Sequence, residues 1–314
     1  MKIFITGSTG FVGSHLIDYL RSPENKIFGA FFPATSEKAK KMRGVELFYM
    51  DITDEKETYS AVKAIRPDWI FHLAAVSNVK YSWNNRRETM ETNILGTFHL
   101  FEVARKLVPS ARILFISSSD VYGIHMHMNR PFKEEAVVHP VSPYAYTKIS
   151  GESLCQFYSQ IEELDIVTAR SFPHTGPGQS PDFVCSDWAR QIANIEKEKA
   201  EPVLKVGNID VERDFLDVRD VVKAYTGLLK RGKKGEVYNV CSGKAVALRN
   251  ILQLLLSFSS KKADMNVDPE KLRKADIPIL FGDNGKIKQD VKWEPQISLR
   301  QTLSDLLDYW RQSL

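Results

Sequence analysis

This sequence predicts an α/β protein built on a doubly wound parallel sheet, with a smaller second domain, and three observations predict it. Short apolar runs rich in β-formers alternate with helical patterns through the first half of the chain. The first such run, Lys2–Thr6, passes directly into Gly7-x-x-Gly10-x-x-Gly13, a glycine turn between a strand and a helix. Beyond about residue 171 the alternation weakens and loop-forming stretches take over. A chain of 314 residues, 43% of them hydrophobic, fills one large domain or two moderate ones.

Each element follows from its own pattern. After the glycine turn, Phe11, Leu16, Ile17 and Leu20 recur at helical spacing until Arg21-Ser22-Pro23 closes the helix. Glycines so placed let the chain turn tightly, let backbone N–H groups approach a pyrophosphate, and let the helix pack close to its strand. The helix N-terminus then turns its partial positive charge to the phosphates, so a Rossmann-type dinucleotide site outweighs an ordinary glycine turn. Residues 27–32 read as the second strand. It ends Phe31-Phe32-Pro33 without the acidic residue that an NAD-preferring site uses to bond the adenosine ribose. Thr35, Ser36, Lys38, Lys40, Lys41 and Arg43 follow, either to meet a 2′-phosphate or as a solvated helix face. NADP(H) is therefore the favoured cofactor, with NAD(H) the alternative.

Residues 45–50 form a third strand, which delivers Asp51 and Ile52 to the carboxyl edge where ligands sit in open parallel sheets. Asp51 either bonds an adenine amino group or caps the helix that starts near Asp54. Residues 69–73 are a fourth strand with His72 inside its apolar run, which makes it a core histidine. Ala74 and Ala75 follow, small enough for close approach to a bound ring. A long helix is expected over 83–107 and carries Asn93; a fifth strand, 112–116, ends at Ser117-Ser118-Ser119-Asp120.

Tyr144 and Lys148 lie four residues apart, so on a helix over 144–163 they share a face. An ammonium beside a phenol favours the phenolate, and the tyrosine pKa is expected below its reference of about 10. Such a tyrosine exchanges a proton with a sugar or alcohol oxygen near neutral pH. By itself the spacing describes many helix surfaces; the glycine turn and the serines upstream give it meaning.

Bulk properties exclude several classes. A net charge of +4 with scattered basic residues does not indicate nucleic-acid binding. Cys155, Cys185 and Cys241 are far apart and odd in number, with no disulfide framework or metal-ligand spacing. No apolar stretch reaches the roughly 20 residues that span a bilayer. A soluble cytoplasmic protein without a metal is expected.

Together, Gly7-x-x-Gly10-x-x-Gly13, Asp51-Ile52, His72-Leu73-Ala74-Ala75, Asn93, Ser117-Ser118 and Tyr144-x-x-x-Lys148 have the order and spacing of the extended short-chain dehydrogenase/reductases, which the chain resembles along essentially its whole length. These are nucleotide-sugar epimerases, dehydratases and reductases. The resemblance implies a catalytic set of Ser118, Tyr144 and Lys148, with Asp120 where related dehydratases place Glu. It implies a cofactor site of Gly7, Thr9, Gly10, Phe11, Val12, Gly13, Asp51, Ile52, Leu73, Ala74, Ala75, Asn93, Tyr144 and Lys148. The second half is similar to the GDP-mannose 4,6-dehydratases and, more closely, the GDP-4-keto-6-deoxy-mannose reductases. It carries that likeness in His174-Thr-Gly-Pro-Gly-Gln179, Arg213-Asp214-Phe215, Asn239-x-x-Ser242-Gly243, Leu272-Arg273 with Asp276 and Pro278, and Trp293-Glu294-Pro295.

By that likeness, Ser77, His174, Lys205, Arg213, Arg273 and Asp276 are substrate-binding. Arginine forks match phosphate oxygens in a bidentate way, though Arg213 and Arg273 can instead pair with Asp214 or Asp276. Pro173 stands where the family commonly has Asn, so one substrate contact is absent or moved. The expected organisation is a Rossmann domain over 1–171 with returning segments at about 209–242, and a smaller C-terminal substrate-binding α/β domain over about 172–208 and 243–314. The expected activity is NAD(P)H-dependent reduction of the 4-keto group of a nucleotide-linked, GDP-type 6-deoxyhexose, giving GDP-D-rhamnose. A 4,6-dehydratase or epimerase is the alternative, and a non-catalytic dinucleotide sensor the remote one. The resemblance also implies a homodimer through the helices of 83–107 and 144–163. Sequence does not separate core from interface positions among Phe98, Leu100, Phe101, Leu154 and Phe157.

Overall fold

A computed structural model describes residues 1–32, 39, 42–124, 130–272 and 276–314. Its centre is a seven-stranded sheet, every adjacent pair parallel. We label its strands β1 (Lys2–Thr6), β2 (Lys26–Phe31), β3 (Glu46–Tyr49), β4 (Trp69–His72), β5 (Arg112–Ser118), β6 (Asp165–Ser171) and β7 (Val237–Val240). Their spatial order is β7-β6-β5-β4-β1-β2-β3. The order reverses between β1 and β4, where Thr6 lies opposite His72, and ligands enter such sheets outside the carboxyl ends at this point.

Both faces are covered, as a parallel sheet requires. Along β1, Ile3 and Ile5 face one core and Phe4 the other, following the two-residue period of a strand. Helices α1 (Phe11–Leu20) and α6 (Val218–Arg231) cover the first face. Helices α2 (Glu55–Ile65), α3 (Gly96–Leu107) and α4 (Pro143–Gln160) cover the second. A separate core joins α5 (Val184–Glu196), α7 (Leu248–Ser257) and α8 (Leu299–Ser313), with Leu204 and Val206 from a strand, Val203–Val206, that pairs in parallel with Asp264–Val267.

Several boundaries move. The helix expected over 83–107 is four pieces: Val79–Asn84, Arg86–Met90, a π-helical turn Glu91–Leu95, and α3. The break falls at Asn85, whose φ of -122° and ψ of 53° are not helical. Helix α4 stops at Gln160 rather than 163, and Glu163 has a φ of +59° that no helix accepts. Strand β5 runs on to Ser118, so Ser117 and Ser118 belong to the sheet and not to the turn after it. The returning part of the chain also reaches further than 242, because Ile287, Val291 and Trp293 pack into the first-face core.

Candidate active site

The glycine turn is shaped for close backbone approach. Gly7 has a φ of +66°, and a Cβ there would sit 2.9 Å from the Ala74 nitrogen. A Cβ on Gly13 would lie 2.5 Å from the Ser8 carbonyl oxygen, so only glycine lets α1 start where it does. Gly10 is the N-cap of α1 and offers no side chain, which leaves the first-turn N–H groups uncapped by any residue there. They open on a cleft of about 1160 Å³.

That cleft brings together most of the residues expected from sequence. Its lining includes Gly7, Thr9, Gly10, Phe11, Val12, Gly13, Asp51, Ile52, Leu73, Ala74 and Ala75. Ser118, Asp120, Tyr144 and Lys148 line it too, as do Ser77, His174, Arg213 and Asp276. This cradle fits a dinucleotide, because the positions nearest the expected pyrophosphate are those that an added Cβ would fill.

Two positions expected in the cleft are not in its lining. Asn93 does not line the cleft. It is buried in the π-helical turn, where Oδ1 accepts from the Val76 N–H (2.8 Å) and Nδ2 donates to the Val76 carbonyl (3.1 Å) and Thr147 Oγ1 (2.9 Å). Lys205 does not line it either. Its backbone bonds instead, the N–H donating to Gln191 Oε1 (2.8 Å) and the carbonyl accepting from Lys271 Nζ (3.0 Å), while strand alternation turns its side chain to solvent. Arg213 is already paired: Nη2 donates to Asp276 Oδ1 (3.0 Å) and Nη1 to the carbonyls of Ile277 (2.6 Å) and Glu212 (2.8 Å). Arg273, Thr35, Ser36, Lys38, Lys40 and Lys41 lie outside the described residues. Asp51 does not cap α2. Asp54 does, accepting from Lys56 and Glu57, while Asp51 Oδ1 accepts from the Thr53 N–H and hydroxyl, both at 2.8 Å.

The structure adds two cationic side chains that the motifs did not flag. Lys271 lines the cleft and bonds Asp187, and Lys80 donates to the Glu270 carbonyl at 2.9 Å. Lys271 is the neighbour of the Leu272-Arg273 pair, which was the one available signal. Pro173 lines the cleft with its carbonyl accepting from Leu216 N–H at 2.9 Å. His174 Nδ1 donates to the Phe172 carbonyl at 2.9 Å, and its ring stacks on Phe11 with centroids 6.2 Å apart. Burial keeps it below the usual histidine range.

The tyrosine does not have the lowered pKa expected from its lysine. Burial first, and then the charge of Asp120, hold the Tyr144 phenol above its ordinary value, while a hydrogen bond with Ser118 acts the other way. Lys148 Nζ is 5.7 Å from the Tyr144 ring centroid and spends a donor on the Ile116 carbonyl at 2.9 Å. Burial pulls Lys148 itself down to about 8. Two desolvated groups each favour their neutral form, and that outweighs the attraction between them. In this state the phenol is an acid.

His72 is buried as expected, and its two bonds have a defined direction. Thr97 spends its hydrogen on the Asn93 carbonyl (2.6 Å), so it accepts from His72 Nε2–H (2.9 Å). The ring must then accept at Nδ1 from the Thr6 hydroxyl (2.9 Å), and Thr6 Oγ1 accepts from the Ala74 N–H (3.1 Å). Burial takes the His72 pKa down to about 3, so the ring stays neutral.

Behind the serines lies a buried ion pair. Arg170 donates from Nε and Nη2 to the two oxygens of Glu152 at 2.9 and 2.7 Å, and Ser117 Oγ donates to the same carboxylate. Arg170 Nη1 also reaches the Tyr122 hydroxyl (3.1 Å), which donates to Asn239 Oδ1 (2.7 Å). This network ties α4 to β5, β6 and β7.

A family model described as GDP-mannose 4,6 dehydratase matches residues 4–306. GDP-6-deoxy-D-mannose reductase of Pseudomonas aeruginosa is 35% identical over 309 residues, covering 98% of this chain and 97% of that protein. A solved structure of RMD from Pseudomonas aeruginosa complexed with NADPH superposes with a TM-score of 0.86 at 33% identity, covering 100% of this chain and 99% of that one. UDP-glucuronic acid 4-epimerase from Bacillus cereus, in complex with UDP-glucuronic acid and NAD, gives a TM-score of 0.86 at 27% identity with all of both chains covered.

Proposed function

The chain belongs to the GDP-mannose 4,6 dehydratase family, and from that premise we propose that it reduces the 4-keto group of GDP-4-keto-6-deoxy-D-mannose to give GDP-D-rhamnose, with NADPH as the favoured reductant and NADH as an alternative. The reading rests above all on Ser118, Tyr144 and Lys148 lining one cleft with the glycine turn, in a chain 35% identical along its length to a GDP-6-deoxy-D-mannose reductase. A ketone reduction needs an acid at the carbonyl oxygen in its ground state. When bound, a reduced nicotinamide dinucleotide would supply the hydride for C4. Tyr144 gives its phenolic proton to the oxygen that becomes the 4-hydroxyl, Ser118 donates a hydrogen bond to that oxygen, and Lys148 grips the ribose.

The glycine turn with Asp51, Ile52 and Ala74 holds the cofactor, and Ser77, His174 and the Arg213–Asp276 pair lie towards the sugar nucleotide. The preference for NADPH is supported by the absence of a carboxylate at Phe31-Phe32 and by the NADPH in the Pseudomonas aeruginosa structure.

The test is incubation of the purified protein with NADPH and GDP-4-keto-6-deoxy-D-mannose. Consumption of the reduced nicotinamide and a product heavier by two hydrogens are expected. Water loss from GDP-mannose would instead identify a dehydratase, a reading that Asp120 keeps open because a carboxylate occupies the place of the related Glu. Its shorter side chain sets that carboxylate back by roughly 1.5 Å, and a misplacement of that order costs ~100-fold in rate.

Lys148 gives a pH prediction. Its folded pKa of about 8 lies below the ordinary 10.5, so a ligand that uses the ammonium raises it. Dinucleotide binding then takes up a proton between these values, and affinity falls as pH rises through the window. Calorimetry in buffers of different ionisation enthalpy measures the uptake, and Lys148→Met should abolish it. Wild-type binding without proton uptake would remove Lys148 from the cofactor site.

We further infer a cytoplasmic homodimer. The three cysteines are free, as a reducing compartment keeps them, and no helix among the described residues is long and apolar enough to cross a membrane. Leu100 and Phe101 belong to the core, whereas Phe98 and Phe157 are 39% and 48% exposed on α3 and α4, with Leu95 and Ile161 alongside. An apolar face of this kind fits a second copy of the chain. Light scattering should give twice the 35.8 kDa of the chain, and a monomer at micromolar concentration would refute it.

A further inference from the structure

The first turn of the catalytic helix can be accounted for donor by donor. Pro143 has no N–H, and Ser142 Oγ accepts from the Ala145 N–H at 3.1 Å. The remaining donor, the N–H of Tyr144 itself, has no acceptor within its own helix. It is taken by Ser82 Oγ at 3.2 Å, from the separate helix Val79–Asn84. Ser82 is fully buried and spends its own hydrogen on the Val79 carbonyl at 2.7 Å, which leaves its oxygen oriented to accept. The short helix is held in turn. The Asn78 side chain accepts from the Tyr81 N–H at 2.9 Å, and Lys80 Nζ donates to the Glu270 carbonyl at 2.9 Å.

We propose that Ser82 is a positioning residue for the reaction: it caps the catalytic helix from outside at the residue that carries the acid, and so fixes Tyr144 against fraying of the first turn. The role rests on Tyr144 being the acid of the proposed reduction. Ser82 touches no reacting atom and acts through the backbone of Tyr144 alone. Without the hydroxyl that N–H is buried and unpaired, and the turn must shift to find water or another acceptor.

The experiment compares Ser82→Ala with Ser298→Ala, which removes an N-cap bond to Gln301 at the start of α8, remote from the cleft. Both lose stability. Ser82→Ala is expected to lose about tenfold in kcat, because displacements on the order of 1 Å cost up to ~100-fold. Its KM for the sugar nucleotide and its NADPH dissociation constant, read by nicotinamide fluorescence, should not change. Ser298→Ala should keep wild-type kcat per folded molecule. Should Ser82→Ala not fold, Ser82→Cys keeps a weaker acceptor and should turn over between wild type and that tenfold loss. Wild-type kcat in the folded Ser82 variant, or a kcat loss shared equally by Ser298→Ala, overturns the role. A Tyr144→Phe control separates the two levels. Wild-type turnover there would refute the reaction itself, whereas an inactive Tyr144→Phe beside a fully active Ser82 variant would refute only the part given to Ser82.

Discussion

Tyr144→Phe should lower kcat for the ketone reduction by about 10²- to 10⁴-fold, the usual contribution of a positioned general acid, with NADPH affinity unchanged. The ring stays, so the packing of a residue only 9% exposed is preserved and no cavity opens. What is lost is the proton donor and the partner of Ser118. Steady-state rates with single-turnover fluorescence separate loss of chemistry from loss of binding. The pH profile carries a second signature. Because burial holds the phenol above 10, Tyr144 stays protonated through neutral pH and imposes no alkaline limb there. Any limb near pH 8 belongs to Lys148 and should vanish in Lys148→Met. A wild-type limb that persists in Lys148→Met would overturn that assignment.

The largest stability effect should come from Arg170→Met. Arg170 and Glu152 are each 7% exposed at the side chain, and their bidentate contact leaves neither charge to water. Removing one partner strands the other, and such losses typically cost about 3–5 kcal/mol. Urea unfolding of the variant against wild type measures it, and a loss below 1 kcal/mol would show that water reaches the pair. Turnover should fall as well. Ser117 bonds the same carboxylate and directly precedes Ser118 on β5, so a displaced Glu152 disturbs the serine proposed to bond the reacting oxygen. Replacing both members by apolar residues should recover part of the stability but not the turnover.

The sheet was readable because its cause is local. Ile3, Phe4 and Ile5 are apolar on consecutive positions as strands buried on both faces must be, and a strand that ends in Gly7-x-x-Gly10-x-x-Gly13 leaves few alternatives. Tyr144 and Lys148 stand out by their spacing and Ser118 by the family resemblance, and all three line one cleft. The misses share a different cause. Periodicity does not register one extra residue in a turn, so the π-helical turn at Glu91–Leu95 and the break at Asn85 were smoothed into one helix. Asn93 lies in that turn and bonds Val76 and Thr147. Charge type alone could not choose between a phosphate and the Asp276 pairing for Arg213, nor say that Lys205 sits on the outward face of its strand while Lys271 reaches inward. Nor could spacing weigh the burial that reverses the expected tyrosine shift. These are outcomes of contacts distant in sequence.

The path of the chain has a mechanical consequence. After β6 it leaves the sheet for the core around Trp188, returns for β7 on the sheet edge, departs again for α7, comes back at Ile287, Val291 and Trp293, and finishes in α8 on the core around Trp188. The sheet and that separate core are stitched together by repeated crossings, so no single cut yields two complete halves. A truncation before residue 285 removes a patch from under the sheet and a wall from the Trp188 core at once.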